Sequence, residues 1–152
     1  MSGENKRLPM EQRLGYWLKL LHEHAPDSIG EMLRFEIGTC DEAAGSYTLY
    51  ASTEKWMGNA FGTLHGGIIS TALDQGMGMI ASCMMDGTAI TPTVEMNTTF
   101  HHALIPGKRM RLKIHVVART RTMIHMRAEV VDAEEPEKLC ASATGIFFIK
   151  PI

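Results

Sequence analysis

None of the three cysteines in this chain, Cys40, Cys83 and Cys140, stands in a C-x-x-C spacing with another. Their odd number and wide separation exclude a disulfide framework and a zinc site, so they read as small reduced core thiols. Charge of one sign is equally scarce. Fifteen Lys plus Arg against seventeen Asp plus Glu leave a formal net charge of -2, without the positive field that draws nucleic acid. No apolar run reads as a membrane span, because the longest candidate, residues 68–85, is interrupted by Asp74, Gln75, Gly76 and Gly78. The opening residues MSGENKRLPMEQRLGYW lack the apolar core and small-residue cleavage site of a signal peptide, which makes the cytoplasm the expected location. No linker, repeat or low-complexity segment divides the chain. A single domain over residues 1–152 is expected, with a flexible N-terminus over residues 1–9.

What the chain has is patterning. Met10, Leu14, Trp17, Leu18 and Leu21 recur at helical period and Pro26 stops the pattern, which predicts an amphipathic helix over Met10–His24. Residues 32–38 alternate, with Leu33, Phe35 and Ile37 opposite Arg34 and Glu36, and residues 46–52 alternate through Tyr47 and Leu49. The intervening CDEAAG makes the two a hairpin. A long helix, apolar on nearly every side, follows Gly66. Beyond the loop DGTAITP come four strand patterns. The first sets Val94, Met96 and Phe100 opposite Thr93, Glu95, Asn97 and Thr99; the next two run through Met110–Val116 and Ile124–Val130. The last, Leu139–Ile149, has small residues and a terminal IFFI, as in a strand covered on both sides. Short turns join the four and predict an antiparallel meander. The expected fold class is α+β, an antiparallel sheet of about six strands curved around the central helix.

The chemistry gathers in GNAFGTLHGGIISTALDQGMGM, residues 58–79. Gly62, Gly66 and Gly67 allow close approach to the main chain. A helix starting at Gly66 would offer unpaired N–H groups at its positive end, donors suited to a developing oxyanion. An ordinary glycine-rich turn into a helix accounts for the same residues. Asp74 stands among apolar and small neighbours, where an unpaired carboxylate is costly and its pKa is expected to rise toward that of a general base. A structural aspartate bonded to a hydroxyl or a backbone N–H fits equally. His65 and Asp74 are nine residues apart, about 900° of helical rotation and about 13 Å of rise. They face opposite ways, so joint action calls for a two-fold dimer with composite sites.

NAFGTLHGGIISTALDQGMG, followed by TVEMNTTF, PGKRMRLKIHVVARTRTMIHMRAEVVD and KLCASATGIFFI, resembles the hotdog-fold thioesterases of the phenylacetic-acid-pathway and small acyl-CoA type. The resemblance runs from Gly58 to Ile149 and is most specific in L-H-G-G followed, seven residues after the second glycine, by an aspartate. It implies a sheet wrapped on a central helix, a homodimer or a dimer-of-dimers tetramer with active sites at the subunit interface, and hydrolysis of a small or medium, aliphatic or aromatic acyl-CoA. Asp74 would be the catalytic carboxylate, as general base or nucleophile. The N–H of Gly66, with Gly67, would polarise the thioester carbonyl. Asn59 would position water, His65 would orient the glycine turn, and Thr93 matches a hydroxyl position near the carboxylate. No metal or cofactor is implied. His102 and Ala103 stand where the family commonly has arginine and proline, and ARTRT lacks the usual glycine, which touches the substrate-entry rim.

Other residues have plainer readings. Arg119 and Arg121 flank a tight turn and are candidates to grip coenzyme A phosphates, or are solvated turn charges. His101 and His102 adjoin on a strand and point to opposite faces, a poor metal pair. The methionines of the central helix read as core. Two rival functions share the fold: an acyl-CoA-binding protein without turnover, and an enoyl-CoA hydratase, which calls for a catalytic His in a different motif.

Overall fold

The computed structural model describes residues 7–152. Helix α1 spans Met10–His24, as its periodicity predicts, and a short α2 spans Ile29–Met32. Strands β1, Glu36–Asp41, and β2, Ser46–Ser52, form the expected hairpin. A 3-10 turn at Lys55–Met57 leads to the long helix α3, Gly66–Cys83. Then come β3 (Ala89–Ile90), β4 (Thr93–Phe100), β5 (Arg109–Arg119), β6 (Met123–Asp132), β7 (Glu135–Phe148) and β8 (Lys150–Pro151). The main sheet has six antiparallel strands in the order β1-β2-β5-β6-β7-β4, and β3 pairs with β8 in a separate two-stranded sheet. Of the flexible stretch expected over residues 1–9, the first six residues lie outside the described ones; Arg7 pairs with Asp86 at 2.5 Å.

Three local expectations are corrected. The strand read over residues 32–38 starts at Glu36, because Ser28 caps α2 by accepting from the Glu31 N–H at 3.3 Å and Arg34 takes a φ of 44°, which no alternating strand contains. Only β5, β6 and β7 make a meander; β4 lies beyond β7 at the sheet edge. The eight residues 101–108 reach about 26 Å, enough to cross the three strand spacings, about 14 Å, back to β5. Strand β7 is covered on one face only. Ala141, Ala143, Gly145 and Phe147 are buried against the helix, while Thr144 and Phe148 face solvent.

Helix α3 fills the concave side of the sheet, with Leu73, Met77 and Ile80 fully buried among Leu49, Leu112, Ile114, Val130 and Phe147. Met77, Met79 and Met85 belong to this core. At Gly76 the helix approaches the sheet so closely that a Cβ would stand 3.2 Å from Ile114 Cδ1 and 3.3 Å from Leu112 Cδ2. Gly76→Leu is therefore expected to overpack the core and lower unfolding free energy by about 1–3 kcal/mol, measurable by urea titration.

Helix α1 closes the open end. Met10 and Leu14 are buried and Trp17 and Leu18 pack on the core. Its first turn is capped from far away in sequence: Glu42, in the β1–β2 turn, accepts from the Met10 N–H at 3.0 Å and from Arg13 at 2.5 Å. A carboxylate there also complements the positive helix end. Among the described residues, no helix is long and apolar enough to cross a membrane.

Candidate active site

The start of α3 is shaped by His65. It takes extended torsions, φ -62° and ψ 128°, as a helix N-cap. Its Nδ1 accepts from the Gly67 N–H at 3.3 Å, and its carbonyl accepts from Ile68 at 2.9 Å and Ile69 at 3.3 Å. An accepting Nδ1 places the ring proton of the neutral imidazole on Nε2. The two glycine donors are thus unequal. The Gly67 N–H is taken up by the histidine, whereas among the described residues nothing accepts from the Gly66 N–H. The Phe100 ring lies over Gly66, close enough that a Cβ there would meet Cζ at 3.2 Å.

Asn59 holds the loop that delivers this helix end. Its Oδ1 accepts from the N–H groups of Phe61 at 2.9 Å and Thr63 at 3.2 Å, and its Nδ2 donates to Thr63 Oγ1 at 2.8 Å. Its backbone N–H donates to Thr63 O at 2.8 Å, and Gly62, with a φ of 77°, donates to Asn59 O at 3.1 Å. That φ is the left-handed region that glycine occupies at low cost. One N–H of the Asn59 amide is left over from these bonds.

Asp74 sits half-buried on the same helix, eight residues after Gly66. Its Oδ1 accepts from Thr93 Oγ1 at 2.7 Å. The strand pattern placed Thr93 opposite Met96 and Phe100, away from the helix. A bulge between Thr93 and Glu95 corrects this: it adds one residue, so Thr93, Met96, Thr98 and Phe100 share the helix side and Val94 is exposed. Helix α3 is unbroken between Gly66 and Asp74, which keeps the two about 12 Å apart along its axis. The Gly66 end lies under Phe100 and the Asp74 turn beside Thr93, so the two halves meet opposite ends of β4.

Residues 61–139, just over half of the chain, match the model of the thioesterase superfamily. The chain belongs to that superfamily. Its fold is the hotdog fold of solved thioesterase structures. A mutant thioesterase from Pseudomonas aeruginosa is 18% identical, with a TM-score of 0.78 over 97% of this chain and 98% of that one. A phenylacetic acid degradation-related protein from Ralstonia eutropha is 21% identical, with a TM-score of 0.77 over 90% and 98%. A hypothetical thioesterase from Streptococcus pneumoniae, solved with coenzyme A, is 19% identical, with a TM-score of 0.70 over 86% and 97%. No curated protein matches the sequence.

In this superfamily member the remaining candidates fall into place by register. Arg119 pairs with Ile124, Ile124 with Phe147 and Phe147 with Thr93, so Arg119 ends the cross-sheet row that begins at Thr93, about 14 Å away. Arg121 is exposed in the β5–β6 turn. His101 Nε2 bonds Ser142 Oγ at 2.9 Å and His102 Nδ1 bonds Leu139 O at 2.7 Å, each engaged separately on β7. Among the described residues no group of three His, Cys, Asp or Glu is placed to hold a metal. Burial pushes the Cys83 thiol up to about 11 and raises those of Cys40 and Cys140, so none is poised as a nucleophile. The sequence reading passed over Phe61 and the contact of Phe100 with Gly66. Phe61 lies inside the N-x-x-G loop, and its position within that motif was the available signal.

Proposed function

We propose that this chain is an acyl-CoA thioesterase that hydrolyses a small or medium, aliphatic or aromatic acyl-CoA in sites built from two copies. The observation that carries the reading is the division of the machinery: an open Gly66 N–H and a hydroxyl-bonded Asp74 carboxylate stand on one rigid helix, about 12 Å apart. β4 is an edge strand whose outer side has no neighbour among the described residues, with Val94 55% and Phe100 52% exposed. Antiparallel pairing of β4 with the same strand of a second copy, centred between Met96 and Asn97, sets the Thr93 end of one beside the Phe100 end of the other. Asp74 of one subunit then adjoins Gly66 of the other, and the two-fold gives two such sites.

The chemistry follows from the donors. The thioester carbonyl oxygen accepts from the Gly66 N–H, which strengthens its bond as that oxygen becomes an oxyanion. Thr93 occupies Asp74 Oδ1 and leaves Oδ2 to take a proton from water while the water oxygen bonds the carbonyl carbon. Collapse of the tetrahedral species breaks the carbon–sulfur bond and returns the proton to the sulfur, giving acid and coenzyme A thiol. Attack by Asp74 itself, forming an anhydride that water then opens, uses the same geometry. The free N–H of Asn59 suits a water ligand, and Arg119 with Arg121 suits the coenzyme A phosphates.

The test is thiol release from acetyl-, hexanoyl- and phenylacetyl-CoA by the purified chain, with its mass measured by light scattering. Turnover of at least one thioester by a dimer or tetramer is expected. Tight binding without thiol release would assign a binding module, and a fully active monomer would overturn the shared site.

A further inference from the structure

Phe61 is 91% exposed, more than any other large hydrophobic side chain described. Exposure of this kind usually accompanies a loose loop, yet five hydrogen bonds within residues 59–63 fix the backbone that carries it. The bonds come from the Asn59 amide and the turn itself, so the backbone position from which Phe61 projects does not depend on burial of its ring. An aromatic carried on a fixed backbone meets a partner without the cost of ordering a loop, and only its own side-chain torsions are left to settle. The turn feeds straight into Gly66, whose Cα lies no more than about 17 Å along the chain from that of Phe61.

We infer that Phe61 is the specificity-determining wall of the acyl pocket, reaching across the two-fold to the site that contains Asp74 of the partner subunit. The inference rests on the shared-site thioesterase reading. A carbonyl held at Gly66 directs its acyl group away from the glycine turn, into the space between this loop and the second copy. Two exposed apolar side chains adjoin this turn, Phe61 five residues before Gly66 and Phe100, whose ring lies over Gly66 and is 52% exposed. An aromatic ring recognises a hexanoyl or phenylacetyl group by area and stacking, and it has little to grip in an acetyl group.

The experiment compares wild type with Phe61→Ala and Phe61→Trp on acetyl-, hexanoyl- and phenylacetyl-CoA, with the mass of each variant taken by light scattering. Phe61→Ala is expected to remain dimeric and to lose about tenfold or more in kcat/KM for the two larger thioesters relative to acetyl-CoA. Phe61→Trp should keep the preference for the larger groups. An unchanged ratio would overturn the proposal, and loss of all three activities together with dissociation to monomer would overturn it by showing the ring to be an interface anchor. Binding by calorimetry to Asp74→Asn and to Asp74→Asn/Phe61→Ala separates this from the parent reading. If wild type hydrolyses none of the three, the thioesterase reading fails, and the calorimetric preference still decides the role of Phe61: a preference lost with the ring supports it, and an unaltered preference or no binding overturns it.

Discussion

Asp74→Asn is expected to fold as wild type does and to lose about 100-fold or more in kcat. The substitution keeps the shape of the side chain and an oxygen that can accept from Thr93, so the 2.7 Å pairing and the packing of α3 need not change. On the proposed mechanism, what disappears is the basic oxygen that takes the proton of water, or the nucleophile in the anhydride route. Binding of acyl-CoA should persist, because the proposed carbonyl contact is to Gly66 and the proposed acyl contacts are to apolar groups. Steady-state kinetics with a thiol reagent, next to thermal melts, measure both halves. Retention of wild-type kcat by a folded Asp74→Asn would end the catalytic assignment.

Gly66→Pro should produce a loss of similar size by another route. Proline deletes the N–H and nothing else that the helix needs there: Gly66 is the first helical residue, a position where proline is well tolerated, and His65 before it already has the extended torsions that proline requires. Any added Cβ crowds Phe100 at 3.2 Å, which makes Gly66→Ala the control with the same contact and an intact N–H. Gly66→Pro is expected to fall about 100-fold below Gly66→Ala in kcat, the usual cost of one oxyanion donor. Co-expression with Asp74→Asn sharpens the result. Randomly mixed dimers are half heterodimers, each with one site free of both defects, so about a quarter of wild-type activity should return. A site complete within one subunit predicts no recovery at all.

The long-range parts of this site were the ones hidden in the sequence. Both long helices were legible because their signals are local: the repeat of Met10, Leu14 and Trp17, Pro26 beyond the first, and His-Gly-Gly at the start of the second. Asp74 was legible as a charge out of place in an apolar helix, and the hydroxyl bond held open for it is the one Thr93 makes. Strand order was not, since a period-two pattern says which residues share a face and nothing about the neighbouring strand. So β4 was placed beside β5 when it lies three strands away. The cap on α1 comes from Glu42 across a separation of 32 residues, and no local motif encodes it. The unequal fates of Gly66 and Gly67 depend on which ring nitrogen of His65 accepts. The letters HGG do not carry that information.

The bulge in β4 has a consequence for how this strand can vary. Its extra residue brings the Thr93 hydroxyl round to the carboxylate while the rest of the strand keeps its register with β7. Straightening the bulge at the present length would set Thr93 three regular positions from Met96 and turn the hydroxyl to the outer face without altering either member of the pair. This strand should therefore accept changes of side chain on its solvent side far more readily than changes that straighten its bulge.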